Sequence, residues 1–402
     1  MMEAHHEQRR RIITAIVALG FGLSMFFHYF QSALAGRWYP YNTFLFDPKY
    51  RFSDLLVLWD YTAERNPYYS LSAVYPPFAY VPLYALTTVK VYETAVAILA
   101  LVLLTSLVLL AFDFLNKTGL WERLETTLVL TVMSYPVLFL LDRANVEILT
   151  FAGITMFVVL LRSGHVWAST IPLACAIAIK PLLAPFLLPL VHKQRGLPLA
   201  LTLGLTVLLT VGAALFLEGG IPRSIAGLSR ALADFHQTYE LGPHGLQHNV
   251  SLFGLLHLML GALSPTSLGH GSIFLAQLST LWMYVNILLL ATIAWIVLRY
   301  PLNEWRSYAL IVAATLLLPR VSFDYRLIYV LIPTLAFIIG RERDPRENLI
   351  AVIFALLLVP KDYGWLLGDV SIAVILNPLL LIGLAVLALP PPLLHLKRLA
   401  AT

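Results

Sequence analysis

The first side chain with chemistry to offer is Asp54, in the charged and aromatic stretch "FSDLLVLWDYTAERNPYY" at residues 52–69. Ser53 or Asp54 can open a helix in which Leu55, Leu58, Trp59 and Thr62 recur at helical spacing. An acid in a first turn is favoured by the helix dipole and the free N–H groups, which requires no function. The same carboxylate is suited to act as a general base on a hydroxyl.

Other groups could serve such a base. "LDRANVEILTF" (141–151) sets Arg143, a fork donor matched to phosphate, beside Asn145, which can hydrogen-bond a sugar. Snorkelling and helix capping account for the same residues, and Glu147 is placed to pair with Arg143. In "AIAIKPLLAPFLLP" (176–189), Lys180 ends an apolar run directly before Pro181. An ammonium at membrane depth is costly enough that function is its default reading, and a compact cation at a broken helix suits a lipid phosphate. "AVYPPFAYVPLYAL" (73–86) sets Tyr75 ahead of a proline doublet that enforces an extended approach. Its rings either anchor the membrane interface or border a sugar or a lipid tail. "LQHNVSLFGLL" (246–256) and "LPRVSFDYRLIYVLIP" (318–333) gather His248, Asn249, Arg320, Asp324, Tyr325 and Arg326 ahead of apolar segments. On a structural reading, Asp324 pairs with Arg320 or Arg326.

The elements that position these groups must lie in a bilayer. Of 402 residues, 59% are hydrophobic and 12% charged, against about 45–50% and about 25% in soluble domains. Apolar runs predict spans at 12–34, 90–112, 126–141, 146–162, 168–180, 183–193, 197–217, 274–298, 307–319, 325–340, 348–360 and 371–390, with 251–263 short enough to be re-entrant. The expectation is one all-α polytopic membrane domain over 1–402, with about 12 transmembrane helices. A cleaved signal peptide is not expected, since 12–36 lacks a small-residue cleavage site. Lys and Arg concentrate in the loops 113–125, 162–167, 192–196, 299–306 and 341–347 and the tail 395–402, which makes both termini cytoplasmic. Two long segments, 35–89 and 218–250, then lie outside, and the candidate residues converge on the outer face. A net charge of +5 spread through such a chain does not imply nucleic acid. The lone Cys175 excludes an internal disulfide or a cysteine metal site. No P-loop, HExxH or dinucleotide fingerprint is present, and no cofactor is expected.

In order and placement, "FSDLLVLWDYTAERNPYY", "YPPFAYVPL", "RANVEIL", "IKPLLAPFLLPL", "NVSLFGLL" and "PRVSFDYRLIYVLIP" resemble the GT-C integral-membrane glycosyltransferases, in particular glycosyltransferase family 87. The likeness covers roughly residues 12–340. It implies the GT-C fold, with short interfacial helices in the first outer loop, and maps the catalytic base to Asp54. It also implies a polyprenyl-phosphate sugar as donor, a glycolipid or glycan acceptor, and inversion at the anomeric carbon. Arg143, Lys180, Arg320 and Arg326 are then expected on the donor phosphate. Tyr75, Asn145, His248, Asn249, Asp324 and Tyr325 are expected on the substrates. Tyr325 and Arg326 stand where the family's mannosyltransferases carry histidines, which leaves open mannose or another hexose or pentose. A phosphate leaving group has a second pKa of about 6 and needs no general acid; no metal-ligand set is evident in the sequence, so metal independence is expected. The rival reading is a transporter or flippase of lipid-linked glycans, which would hold its ionisable groups nearer mid-bilayer.

Overall fold

In a bilayer, long apolar segments can satisfy their backbone polar groups only by forming helices or closed barrels, and this chain forms helices. The computed structural model describes residues 2–45, 47–63, 66–69, 73–192, 195–263, 273–341, 344–367 and 370–390. Lys193, Arg343 and the tail 395–402, invoked above for orientation, lie outside the described residues.

In chain order the helices are α1 (Met2–Tyr29), α2 (Ser53–Ala63), α3 (Pro77–Thr87), α4 (Tyr92–Phe114), α5 (Leu120–Val132), α6 (Tyr135–Arg143), α7 (Glu147–Arg162), α8 (Val166–Ile179) and α9 (Leu188–His192). They continue with α10 (Gly196–Phe216), α11 (Gly220–Phe235), α12 (Leu252–Leu263), α13 (Ile273–Arg299), α14 (Glu304–Leu317), α15 (Leu331–Ile338), α16 (Glu347–Leu357) and α17 (Ala373–Ala388). A two-stranded antiparallel ribbon, β1 (Trp365–Leu367) with β2 (Val370–Ser371), lies between α16 and α17.

Among the described residues, four helices are long and apolar enough to cross a membrane: His5–Leu34, Tyr92–Phe114, Gly196–Phe216 and Phe274–Arg299. Leu120–Val132 and Tyr135–Arg143, bent by 49°, make a fifth if they form one span. Among the described residues the other apolar stretches fold as shorter helices, so four or five of the expected 12 spans reach full length. Proline is one physical reason, because it removes a ladder donor and clashes with the preceding turn. Pro181 and Pro185 turn the expected span 183–193 into a 3-10 helix, Pro181–Leu187, followed by the short α9.

α14 and α15 are buried along their lengths, with α14 packed on α15 and α17. On one side α7 packs on α4 and α8, and α8 on α10; on another, α1 lies against α16. α10 and α13 instead expose Val207, Leu208, Leu215, Phe216, Leu281, Ile287 and Leu288. An apolar surface of that extent needs lipid rather than water around it. Both long segments expected outside contribute helices, α2 and α3 from 35–89 and α11 from 218–250.

Candidate active site

The start of α2 is fixed by its neighbours. Phe52 takes a left-handed φ of 61°, donates its N–H to the Asp142 carbonyl at 2.6 Å and accepts the Tyr92 hydroxyl at 2.6 Å. These contacts hold the first turn of α2, which carries Asp54, against the end of α6. Arg143 donates to Asp54 Oδ1 from Nε at 3.1 Å and from Nη2 at 2.9 Å. Asn145 Nδ2 donates to Oδ2 at 2.7 Å, and Arg143 Nη2 also meets the Ser53 hydroxyl. The guanidinium lies 4.4 Å from the ring centre of Tyr39, whose hydroxyl is pushed up to about 12 by burial and so stays neutral beneath the cation. Asp54 is therefore oriented at both oxygens, yet a quarter of its side chain remains exposed. That part opens on a cavity of about 380 Å³, also lined by Tyr75, Arg143, Asn145, Asp234, Tyr239 and Tyr325.

The link between α6 and α7 sorts the charges. α6 ends at Ala144 in the left-handed region, φ 46°, and Asn145 Oδ1 accepts the Glu147 N–H at 2.9 Å, opening α7. Arg143 and Asn145 thus reach Asp54, while Glu147 goes elsewhere. The fully buried Glu147 accepts Lys180 Nζ at 2.5 Å and Arg326 Nε at 3.2 Å on Oε2. Its Oε1 accepts the hydroxyls of Tyr329 at 2.6 Å and Thr150 at 2.9 Å. Lys180 reaches this position because Pro181 disfavours a helical conformation in its predecessor; Lys180 is extended, φ −138° and ψ 100°, and ends α8.

A second cavity of about 510 Å³ is lined by Lys180, Arg320 and Arg326 together with Leu232, Phe235, Met283 and Ile287. Arg320 Nη1 donates to Glu240 Oε2 at 3.1 Å. Three cations thus face two carboxylates, a local excess of positive charge in an apolar-walled cleft. Tyr75, Val74 and Phe235 line both cavities, and Lys180 Nζ lies 5.3 Å from the Tyr75 ring centre.

Several placements differ from the sequence expectation. Arg143 lies in the carboxylate cavity, engaged with Asp54, and not among the cations of the second cleft. Glu147 pairs with Lys180 and Arg326, not with Arg143. Asp324 pairs with neither Arg320 nor Arg326; its Oδ1 accepts Asn377 Nδ2 at 2.9 Å. Asn249 is spent on the backbone, accepting the N–H groups of Ser251 and Ser322 and donating to the Gly245 carbonyl. His248, Asn249 and Asp324 line neither cavity. Asp234, Phe235 and Tyr239, from the expected outer segment 218–250, were not singled out by sequence. The available signal was the aromatic pair at i, i+4, which stacks at 5.0 Å.

A carboxylate beside a roomy cavity, adjoining a cationic apolar cleft, can deprotonate a hydroxyl next to a bound anion. The sequence profile of glycosyltransferase family 87 matches residues 73–322. No curated protein and no solved structure matches the chain.

Proposed function

The chain belongs to glycosyltransferase family 87 and is a membrane glycosyltransferase, and from that premise we propose that it moves a sugar from a polyprenyl-phosphate donor to a hydroxyl of a glycolipid or glycan, inverting the anomeric carbon. The observation that carries this is the meeting of two cavities at Tyr75, one holding Asp54 and the other three cations. The acceptor occupies the first cavity. Asp54 takes the proton from its hydroxyl as the oxygen attacks the anomeric carbon. The bond from that carbon to the phosphate oxygen breaks, and polyprenyl phosphate leaves with the electron pair. Lys180, Arg320 and Arg326 hold the phosphate charge in a site poor in water, where fixed charges act most strongly. The lipid tail lies along Leu232, Phe235, Met283 and Ile287. Arg143 and Asn145 are assigned to orienting Asp54, and Tyr75 and Tyr325 to the sugar. The transfer step itself is assigned no metal. The basic short loops support cytoplasmic termini, with both cavities at the outer face.

The test is transfer from polyprenyl-phosphate sugars to a panel of glycolipids by purified protein and its Asp54→Asn and Asp234→Asn variants. Asp54→Asn should cut turnover by about 100- to 10,000-fold while donor binding persists, and Asp234→Asn should leave the step largely intact. Equal transfer by wild type and Asp54→Asn would remove Asp54 from the chemistry. No transfer from any donor, with lipid movement across vesicles, would replace the reading with transport.

A further inference from the structure

Behind the first cavity, Tyr39 and Phe139 close on the His248 ring at centroid distances of 5.7 and 5.0 Å. Beyond them lies a polar cluster that sugar transfer does not use. His248, Asp324 and Asp362 are all buried, and each offers a ligand atom within 4.8 Å of the other two. They come from three separate segments. Asn249 bridges Phe323 across the first two, where the Asp324 N–H donates to the His248 carbonyl at 2.8 Å.

We propose that this cluster binds a divalent first-row metal ion, of the zinc or manganese class, which ties the three segments together beneath the acceptor cavity. Two lines of geometry point there. His248 Nδ1 stands 3.5 Å from Asp362 Oδ1, long for a hydrogen bond but close to the edge of about 3.4 Å that joins two ligands on a tetrahedral ion with arms of about 2.1 Å. In addition, both ring nitrogens of His248, Asp324 Oδ2 and Asn377 Oδ1 are buried without hydrogen-bond partners among the described residues. Orphaned buried polar atoms are costly and call for an occupant.

The remaining oxygens are oriented as metal-bound carboxylates usually are. Asp362 Oδ2 accepts the Tyr135 hydroxyl at 2.6 Å and Asp324 Oδ1 accepts Asn377 Nδ2 at 2.9 Å, while the Ser371 hydroxyl meets the candidate ligand oxygen Asp362 Oδ1 at 2.6 Å. Two buried carboxylates also need compensating charge. Lys361, whose ammonium donates to the Val359 carbonyl at 2.8 Å, supplies one positive charge near both, which leaves a second negative charge to be balanced beside a neutral imidazole. One imidazole nitrogen with carboxylate and amide oxygens suits zinc or manganese.

The measurement is elemental analysis of the full chain, purified without a polyhistidine tag in chelator-free detergent buffer. The expected result is close to one equivalent of zinc or manganese per chain, lost in His248→Gln and in Asp362→Asn. After chelator treatment, adding zinc or manganese should raise the melting temperature of the wild type by several degrees and leave that of His248→Gln unmoved. Wild type that carries under about a tenth of an equivalent, and melts alike with and without either ion, would overturn the proposal. That outcome is read on wild type alone, so a variant that fails to fold does not obscure it.

Discussion

Replacing Glu147 should do more harm than replacing either cation it holds. Glu147 is fully buried, and one oxygen serves both Lys180 and Arg326. Unit charges about 4 Å apart interact by about 4 kcal/mol at an effective dielectric of 20. Removing one member of a buried pair typically costs about 3–5 kcal/mol, because the other is left uncompensated. Glu147→Gln strands two cations at once, and they then repel each other. Lys180→Met removes one charged hydrogen bond, worth about 1.5–3 kcal/mol, and leaves Glu147 still paired with Arg326. The expectation is therefore a loss of at least about 3–5 kcal/mol for Glu147→Gln, a smaller loss for Lys180→Met, and a double variant more stable than Glu147→Gln alone. Equilibrium unfolding in mixed micelles, followed by tryptophan fluorescence, reads all three. Equal losses that simply add in the double variant would refute the reasoning, since they would mean that Glu147 and Lys180 do not share one charge balance.

Arg143→Lys keeps the charge but cannot reproduce the two-point grip on Asp54 Oδ1; steady-state kinetics should show kcat reduced about tenfold or more, with donor affinity held. At Gly245, a Cβ would stand 1.8 Å from the Tyr239 carbonyl oxygen and 2.7 Å from its carbon. Because backbone cannot swing aside as a side chain can, Gly245→Ala should sharply lower the yield of folded protein in size-exclusion profiles. Hydrogen bonds from Arg346, with the charges of Arg346 and Arg306, hold the Asp344 carboxyl below its ordinary value. A depressed carboxyl stabilises the fold above its unfolded value of about 4, and that contribution is lost as pH falls through the folded value. Melts across pH should accordingly show Asp344→Asn less stable than wild type at pH 7, with the gap closing below about pH 4.

Local features were legible in sequence, and their partners were not. The first-turn acid and apolar spacing of α2 mark its start, and both Leu55 and Leu58 are buried. Lys180 before Pro181 announces a broken helix with a cation at its end. By contrast, Arg143 and Glu147 stand at i, i+4, which reads as an ion pair on one helix. The left-handed turn between them is made by Ala144, not by glycine or asparagine, so nothing in the sequence signals the break. Arg143 finds its carboxylate 89 positions away, a pairing set by how α2 packs on α6. His248 and Asn249 stand just ahead of an apolar helix, as lining residues do, but the crossing of their segment with 320–324 draws them into the interior.

Met283 and Ile287, themselves exposed, line the second cavity from α13. A ligand that enters past them arrives from the hydrocarbon phase, so its effective concentration is a mole fraction among amphiphiles. Adding empty micelles at a fixed total amount of donor should slow transfer by surface dilution alone. Saturation constants for this protein acquire meaning only when expressed per mole of surrounding lipid or detergent.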